Sequence, residues 1–328
     1  MASIQSIFDS FQGKKIIVLG DLMIDAYIKG SVTRMSPEAD VPVVDFESRI
    51  SRLGGAANVA LNLKALGADP ILCSITGKDE NAELLLKLIN EAQLNQKGLI
   101  PYDERVTTVK TRVIGNDKQL IRVDLENTEP ISSSAEFAMV NLIKEICEKD
   151  DIEAIIFQDY NKGVLTPGLI NQVIDFANQE KIPTTVDPKK DNFFEYKNAT
   201  LFKPNLKELA EGTKTEVSIK KKESFLKAVK KIREELNPKY TFVTLSEHGV
   251  FINDGEENHF IDAHPRNIVD VSGAGDTVIS VATLCLVAGC SPKEIAELAN
   301  LSGGLVCEHV GVVPVKKEDL MKEAKKVM

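Results

Sequence analysis

No apolar run in this sequence approaches the roughly 20 residues that a membrane-spanning helix needs. Met1 to Gly13 also lacks the charged and apolar regions of a secretory signal. Positive charge is in deficit: 40 Lys and Arg stand against 49 Asp and Glu, a formal net charge of −9. That balance argues against nucleic acid or an anionic membrane as a partner, so any phosphate must be met by a local basic pocket. The cysteines, Cys73, Cys147, Cys285, Cys290 and Cys307, are scattered, odd in number and mostly set in apolar sequence, and the four histidines show no ligand spacing. They read as buried thiols of a reducing cytoplasm, neither bridges nor zinc ligands. The familiar nucleotide motifs are missing too. Gly77-Lys78 is followed by Asp79 and lacks the upstream glycine of a P-loop, and no G-x-G-x-x-G follows the first strand. A nicotinamide-dependent oxidoreductase is thereby disfavoured, and any nucleotide must be held by another scheme. Internal repeats and low-complexity tracts are absent.

What is present is an ordinary globular composition, 43% hydrophobic and 27% charged over 328 residues. That length suits a large domain with a smaller attachment. Residues 14–19 form a short apolar strand ending at Gly20-Asp21. From Gly54-Gly55-Ala56-Ala57 onward, small and apolar residues recur at helical spacing to Leu66, and Gly67 stops the helix. Residues 71–75 read as the next strand and 80–92 as an amphipathic helix. Beyond a linker at 126–134, helices at 135–148 and 167–180 precede strands at 154–157 and 183–186. A strand at 199–202 leads to a helix near Asn205, and a strand at 241–245 follows the charged helix around 222–235. This alternation predicts an α/β fold in three layers, a mostly parallel sheet with helices on both faces.

Two segments break the rhythm. Residues 27–50 and 105–126 carry few helix signals and many alternating β-formers, and Gly115-Asn116-Asp117 is a turn between two strands. Both leave the α/β core and return to it, which predicts a small β-sheet over one edge of the main domain. Its functional reading is a lid over an active site.

The most informative stretch is Asp270-Val271-Ser272-Gly273-Ala274-Gly275-Asp276-Thr277, followed by the apolar run 278–288. Small residues let the backbone turn tightly and leave its N–H groups unobstructed. The run behind them suits a buried helix, so those groups would lie at a helix N-terminus, where anions bind. Asp276 falls in the first turn. A carboxylate beside an anion cradle is what phosphoryl transfer to a hydroxyl requires, although G-x-G-D alone also fits a capped core helix.

Gly54-Gly55-Ala56-Ala57-Asn58-Val59-Ala60 and the stretch 270–277 together resemble the two signatures of the ribokinase-like (PfkB) carbohydrate kinases. Asn205-Leu206-Lys207-Glu208 fits that family's N-x-x-E motif, and Thr244-Leu245-Ser246-Glu247-His248-Gly249 resembles its nucleotide-contacting turn. The resemblance runs from about residue 14 to 321. Further segments resemble one branch, the D-glycero-D-manno-heptose 7-phosphate kinases: residues 20–25, 34–43, 119–124, Asp159-Tyr160-Asn161-Lys162-Gly163 and Val186-Asp187-Pro188-Lys189. Many members of that branch carry a C-terminal nucleotidyltransferase. This sequence stops at Met328, so the expectation is a single kinase domain over residues 1–328, no nucleotidyltransferase domain, and a separate enzyme acting downstream.

The resemblance implies roles residue by residue. Asp276 is the base that takes the proton of the sugar's anomeric hydroxyl, and Gly273, Ala274 and Gly275 supply the anion hole. Asn205 and Glu208, one helical turn apart, order Mg2+ and the nucleotide phosphates, through water because Mg2+ keeps much of its shell. An N-cap with a first-turn Glu explains the same pair. Asp25 and Asn58 match positions that bind sugar hydroxyls, with Gly54 and Gly55 permitting close approach and Asp21 assisting. Thr244, Ser246, Gly249 and Asn300 match positions lining the ATP site. A substrate that already carries a phosphate needs cations, for which Arg34, Arg112, Arg122, Lys162 and Lys189 are candidates. Carbonyls near Asp270 and Ser272 are candidates for a monovalent cation such as K+.

The function expected on this basis is an ATP- and Mg2+-dependent kinase for O1 of D-glycero-β-D-manno-heptose 7-phosphate, working in the cytoplasm and paired as a homodimer through the lid. The alternatives are a kinase for another acceptor, such as fructose 1-phosphate or ribose, and a non-catalytic sugar- or nucleotide-binding regulator.

Overall fold

The computed structural model describes residues 3–328. The chain opens with helix α1 (Ile4–Ser10) and strand β1 (Lys15–Gly20), then leaves the core along two long strands, β2 (Leu22–Met35) and β3 (Pro42–Gly55). It returns through α2 (Ala56–Ala65), β4 (Asp69–Thr76), α3 (Glu80–Glu91) and β5 (Asn95–Pro101). A second excursion is the hairpin of β6 (Thr108–Gly115) and β7 (Lys118–Leu125). Next come α4 (Ser133–Lys149), β8 (Ile152–Gln158), α5 (Pro167–Gln179), β9 (Thr184–Asp187), β10 (Leu201–Phe202), α6 (Leu206–Thr213) and α7 (Lys222–Leu236). The last part holds β11 (Tyr240–Thr244), β12 (Val250–Asn253), β13 (Asn258–Ile261), α8 (Ala274–Val287), α9 (Pro292–Val306) and α10 (Lys317–Val327).

Nine strands form one sheet in the order β13-β12-β11-β10-β9-β8-β1-β4-β5, parallel except where β12 runs against β11 and β13 against β12. Side chains alternate across it. Ile16 and Val18 join the apolar cluster that α2, α8 and α9 complete, whereas Ile17 and Leu19 join the one beneath α4, α5 and α7. The sheet is thus buried on both faces, the three-layer α/β arrangement expected from the alternation. Three strands, β5, β12 and β13, fall outside the strands read from the sequence. All three lie toward the sheet's edges, and β5 and β13 bury little, so their apolar signal is weak.

The four-stranded sheet has the order β3-β2-β6-β7 and is antiparallel except between β2 and β6. Residues 27–50 and 105–126 supply most of it. Its strands reach further into the core than the sequence indicated: Leu22, Met23, Ile24 and Ala26 are buried, so the first turns of β2 read as core, not as excursion. Among the described residues no helix is long and apolar enough to cross a membrane.

Candidate active site

Chain order in the large sheet reverses between β1 and β8: one half runs outward through β4 and β5, the other through β9, β10 and β11. A crevice opens at the carboxyl ends of strands where such a reversal occurs, because the connections on the two sides leave in opposite directions. The polar residues that sit there are Asp21 just after β1, Gln158 at the end of β8, Asp187 at the end of β9 and Lys203 just after β10.

The N-terminus of α8 points into this crevice. Gly273 is its N-cap with φ of +80°, a left-handed conformation that favours glycine, and no side chain caps the helix. The Ala274 N–H, expected in the anion hole, donates instead to the Val271 carbonyl at 3.3 Å; the Gly275 N–H, without a backbone partner among the described residues, remains available to an anion. Asp276, in the first turn, is buried. Its Oδ2 accepts from Asn58 Nδ2 at 2.6 Å, and its Oδ1 accepts from Gln158 Nε2 at 3.0 Å and from the Tyr160 hydroxyl at 2.9 Å. Burial pushes the Asp276 carboxyl up to about 6, the Asn58 hydrogen bond opposes that, and the neighbouring Asp187 adds to it. The Asn58 contact spans 218 residues and joins the two sequence signatures in one site. Asn62 tightens the same junction, accepting from the Thr277 hydroxyl at 3.0 Å.

Behind Asp276 lies a buried ion pair. Lys203, 2% exposed, stands 3.1 Å from Asp187, and Gln158 Nε2 reaches Asp187 Oδ2 at 3.3 Å. A Cβ on Gly275 would lie 3.8 Å from Asp187 Oδ2 and 3.9 Å from Lys203 Nζ, so this pair borders the helix N-terminus. Burial alone would raise the Asp187 carboxyl, but Lys203 and Lys189 outweigh it and hold the group below its ordinary value. Burial would likewise depress the Lys189 ammonium, yet Asp187 and Glu208 hold it up.

Asn205 and Glu208 form a capping box at α6: Asn205 Oδ1 accepts from the Glu208 N–H at 2.8 Å, and Glu208 Oε2 accepts from the Asn205 N–H at 2.9 Å. Glu208 Oε1 binds Lys189. Thr244 bridges to Asn205, and the turn of Ser246–His248 closed by Gly249 lies against residues 261–263. Asn300 donates to the Asp262 carbonyl at 2.8 Å, which ties α9 to that segment. The structure thus brings Asn205, Glu208, Thr244, Ser246, Gly249 and Asn300 along one side of the crevice.

On the opposite side, Asp25 Oδ1 takes Arg112 Nη1 at 2.5 Å. A Cβ on Gly54 would lie 2.3 Å from Asp25 Oδ2, so glycine is what lets that carboxylate stand there. Gly55 faces Leu22 across the β2–β3 ladder. Arg112 and Arg52 both lie over the Tyr27 ring, at 5.4 and 5.9 Å.

Asp21 holds a loop. Its Oδ2 accepts from the N–H groups of Tyr160 and Lys162 at 2.9 and 3.1 Å, and its Oδ1 from that of Val164 at 3.2 Å. Buried and accepting from three backbone donors, it pins the 160–164 loop. The five candidate cations also separate. Arg112 is on Asp25 and Lys189 on Glu208, while Lys162 meets Glu126 at 2.9 Å, where Lys110 also pairs at 3.0 Å. These three border the crevice. Arg34, 64% exposed and 4.0 Å from Asp45, and Arg122, paired with Asp124 at 2.8 Å, lie out on the small sheet. Asp270 accepts from the N–H groups of Ser272 and Gly311, both at 2.9 Å, and so cross-links two loops. Among the described residues no group of three or more His, Cys, Asp or Glu is arranged to hold a metal ion.

The sequence reading did not assign roles to Gln158, Tyr160, Asp187, Lys203, Arg52 or Lys110. Tyr160 and Asp187 lie in segments shared with the heptose kinase branch, which was a usable signal. Lys203 had none, since a lysine after a two-residue strand is usually solvated.

Comparison with known proteins agrees with this geometry. The profile of the pfkB family carbohydrate kinases matches residues 13–318. The bifunctional protein HldE of Sulfurimonas denitrificans is 40% identical over 307 residues, 93% of this chain and 63% of that protein. That of Geobacter sulfurreducens is 36% identical over 321 residues, 97% of this chain and 64% of that protein. The chain thus spans somewhat under two thirds of the length of these relatives. Among solved structures, Escherichia coli phosphofructokinase-2 in complex with fructose-6-phosphate matches with a TM-score of 0.77 at 18% identity, over 96% of this chain and 99% of the other. Arabidopsis thaliana ribokinase complexed with ribose and ATP matches with a TM-score of 0.73 at 18% identity, over 95% and 99%. At that identity the structures speak for the fold alone; the profile and the HldE proteins speak for the sequence. With a buried carboxylate at an open helix N-terminus and both signatures meeting on it, the chain belongs to the pfkB family of carbohydrate kinases and is a sugar kinase.

Proposed function

We propose that this kinase transfers the γ-phosphoryl group of ATP to O1 of D-glycero-β-D-manno-heptose 7-phosphate, giving the 1,7-bisphosphate. The observation that carries phosphoryl transfer is Asp276: a buried carboxylate, with a carboxyl near 6, in the first turn of a helix that no side chain caps. A base of that strength is ionised at neutral pH and can accept the proton of a sugar hydroxyl. The N–H group of Gly275 meets the charge that develops on the transferred group, and Lys203 adds a positive charge beside it.

ATP lies along Asn205, Glu208, Thr244, Ser246, Gly249 and Asn300. The residues fit a Mg2+ ion held through water: each Glu208 oxygen already has a partner, Lys189 or the Asn205 N–H, which disfavours direct coordination and leaves acceptor positions for metal-bound water. Such an ion neutralises phosphate charge. For K+, the loops joined by Asp270 and the Ser272 segment are our candidate site.

The heptose phosphate is favoured by the shared segments of that kinase branch and by the 36–40% identity to HldE proteins over almost the whole chain. Asp25 and Asn58 face the sugar. Arg112 and Lys162, with Lys189 nearer the nucleotide, stand where a second phosphate can be met. The small sheet is then a lid, whose closure excludes water and suppresses ATP hydrolysis. Two copies pair through their lids. The chain works in the cytoplasm, a compartment that suits its five free thiols. A nucleotidyltransferase consumes the product.

The test is ADP release with Mg-ATP and heptose 7-phosphate, against fructose 1-phosphate, fructose 6-phosphate, ribose and no sugar. Turnover confined to the heptose phosphate supports the reading. Turnover with another acceptor keeps the kinase and discards the substrate.

A further inference from the structure

The donors around Asp276 divide unequally between its two oxygens. A carboxylate offers about four acceptor positions, two on each oxygen. Gln158 Nε2 and the Tyr160 hydroxyl occupy both positions of Oδ1, whereas Asn58 Nδ2 occupies one of Oδ2. We infer that Tyr160 is a positioning residue, which saturates Oδ1 and turns the one open acceptor position, on Oδ2, toward the hydroxyl to be phosphorylated. This rests on reading Asp276 as the base.

Tyr160 is built for such a task. Its backbone N–H is one of the three held by Asp21, and on its other side the Asp159 carboxylate accepts from the Asn161 N–H at 2.7 Å and the Tyr196 hydroxyl at 2.8 Å. The residue is therefore clamped on both sides by buried carboxylates. Its ring carries the Lys189 ammonium at 5.6 Å, which adds a third restraint from the nucleotide side of the crevice. Burial, with the Asp276 and Asp187 carboxylates nearby, pushes the phenol well above its ordinary value, so it acts only as a donor toward Asp276. Asp21 and Asp159, with no contact to Asp276, reach the base through this one side chain.

In the step this geometry serves, the proton of the sugar O1–H passes to Asp276 Oδ2 while O1 forms its bond to the γ-phosphorus. The bond from that phosphorus to the β–γ bridging oxygen breaks, and its electron pair leaves with ADP. The charged groups that face Asp276 are Asp187 at the end of β9, Lys203 after β10 and Lys189 beyond β9, with the Tyr160 phenol on the loop after β8. Loss of the Tyr160 hydrogen bond removes a contact that favours the ionised carboxylate, so the base holds its proton to higher pH.

The experiment is the pH profile of kcat/KM for the full chain, with Mg-ATP and whichever sugar supports turnover. The wild-type acid limb is expected near the Asp276 value of about 6. Tyr160→Phe should move that limb up by about one unit and lower kcat roughly tenfold, with KM for ATP unchanged. Site-specific replacement of Tyr160 by a monofluorinated tyrosine, a stronger donor of the same shape, should move the limb down. An unmoved limb in the fluorinated protein overturns the proposal even if Tyr160→Phe fails to fold. An active Asp276→Asn overturns the base itself; an inactive Asp276→Asn with unmoved limbs in both Tyr160 variants removes only the role of Tyr160.

Discussion

The two sheets of this molecule use similar β-branched strands for opposite purposes. Helices cover both faces of the nine-stranded sheet, so neither face is open to a ligand, and its chemistry gathers at the carboxyl ends of strands: Gln158, Asp187 and, one residue beyond β10, Lys203. The four-stranded sheet has no such cover away from its base, and β7 is exposed at every position. Register sorts its two faces. Asp25, Lys110 and Asp124 line up across β2, β6 and β7 on one face, as do Tyr27, Arg112 and Arg122. The alternate residues Ile121, Val123 and Leu125 present an apolar face, with Ile121 57% and Val123 54% exposed. Burial on both sides leaves a sheet its ends, where a fixed base can be held in a low dielectric. An open sheet keeps its faces, one ionic and one apolar, for groups that come and go.

The sharpest way to break this contrast is at a strand-end site. Asp276→Asn should fold and lose roughly 10²–10⁴ in kcat, the usual cost of a positioned base; near-full ADP release would remove Asp276 from the chemistry. Lys203→Met leaves the buried Asp187 carboxylate with only the more distant Lys189, at 4.0 Å. Urea unfolding should show a loss of about 3–5 kcal/mol, with part of it restored by Asp187→Asn in the same chain. A loss under about 1 kcal/mol would put that pair among solvent-exposed ones.

Substitutions on the small sheet should act mainly on binding, although Arg112→Ala also removes the partner of the buried Asp25 carboxylate. Arg112→Ala is expected to raise KM for the sugar phosphate roughly tenfold or more, because a hydrogen bond to a charged group contributes about 1.5–3 kcal/mol, with KM for ATP little altered. Arg122→Ala, further out on the same face, should do less, and equal effects on both substrates would break the assignment of that face. The smallest effect on the isolated chain is expected from Ile121→Lys with Val123→Lys. Sedimentation should then show monomers where the parent shows dimers, with the fold intact. A parent that already sediments as a monomer would leave the apolar face without its second copy.

Much of the fold was legible because its signals are local. The apolar runs of β1, β4 and β8, the helix stop at Gly67 and the glycine turn before α8 each depend on a few adjacent residues. Of the strands that escaped, β5 and β13 bury little, whereas β12 is buried throughout but only four residues long. Of the site, the Asp276 turn, the Asn58 helix and the Asn205–Glu208 pair were readable, since each is a compact motif with its own backbone geometry. The Asn205–Glu208 capping box bears out the N-cap reading of that pair.

Alternation, glycine placement and charge balance thus determined by themselves an α/β chain with a β-rich excursion, a bare helix N-terminus and a carboxylate beside it. Which groups surround that carboxylate was decided by tertiary structure, since Gln158, Tyr160 and Asn58 come from 118, 116 and 218 residues away and are gathered only by the order of strands in the sheet. The fate of Asp21 was decided in the same way. An aspartate after a strand has free lone pairs on paper, and only the folded 160–164 loop, arriving with three N–H donors, occupies three of its acceptor positions. Hydrogen-bond capacity belongs to a residue type, but the partners that use it are set by which distant segments pack against it.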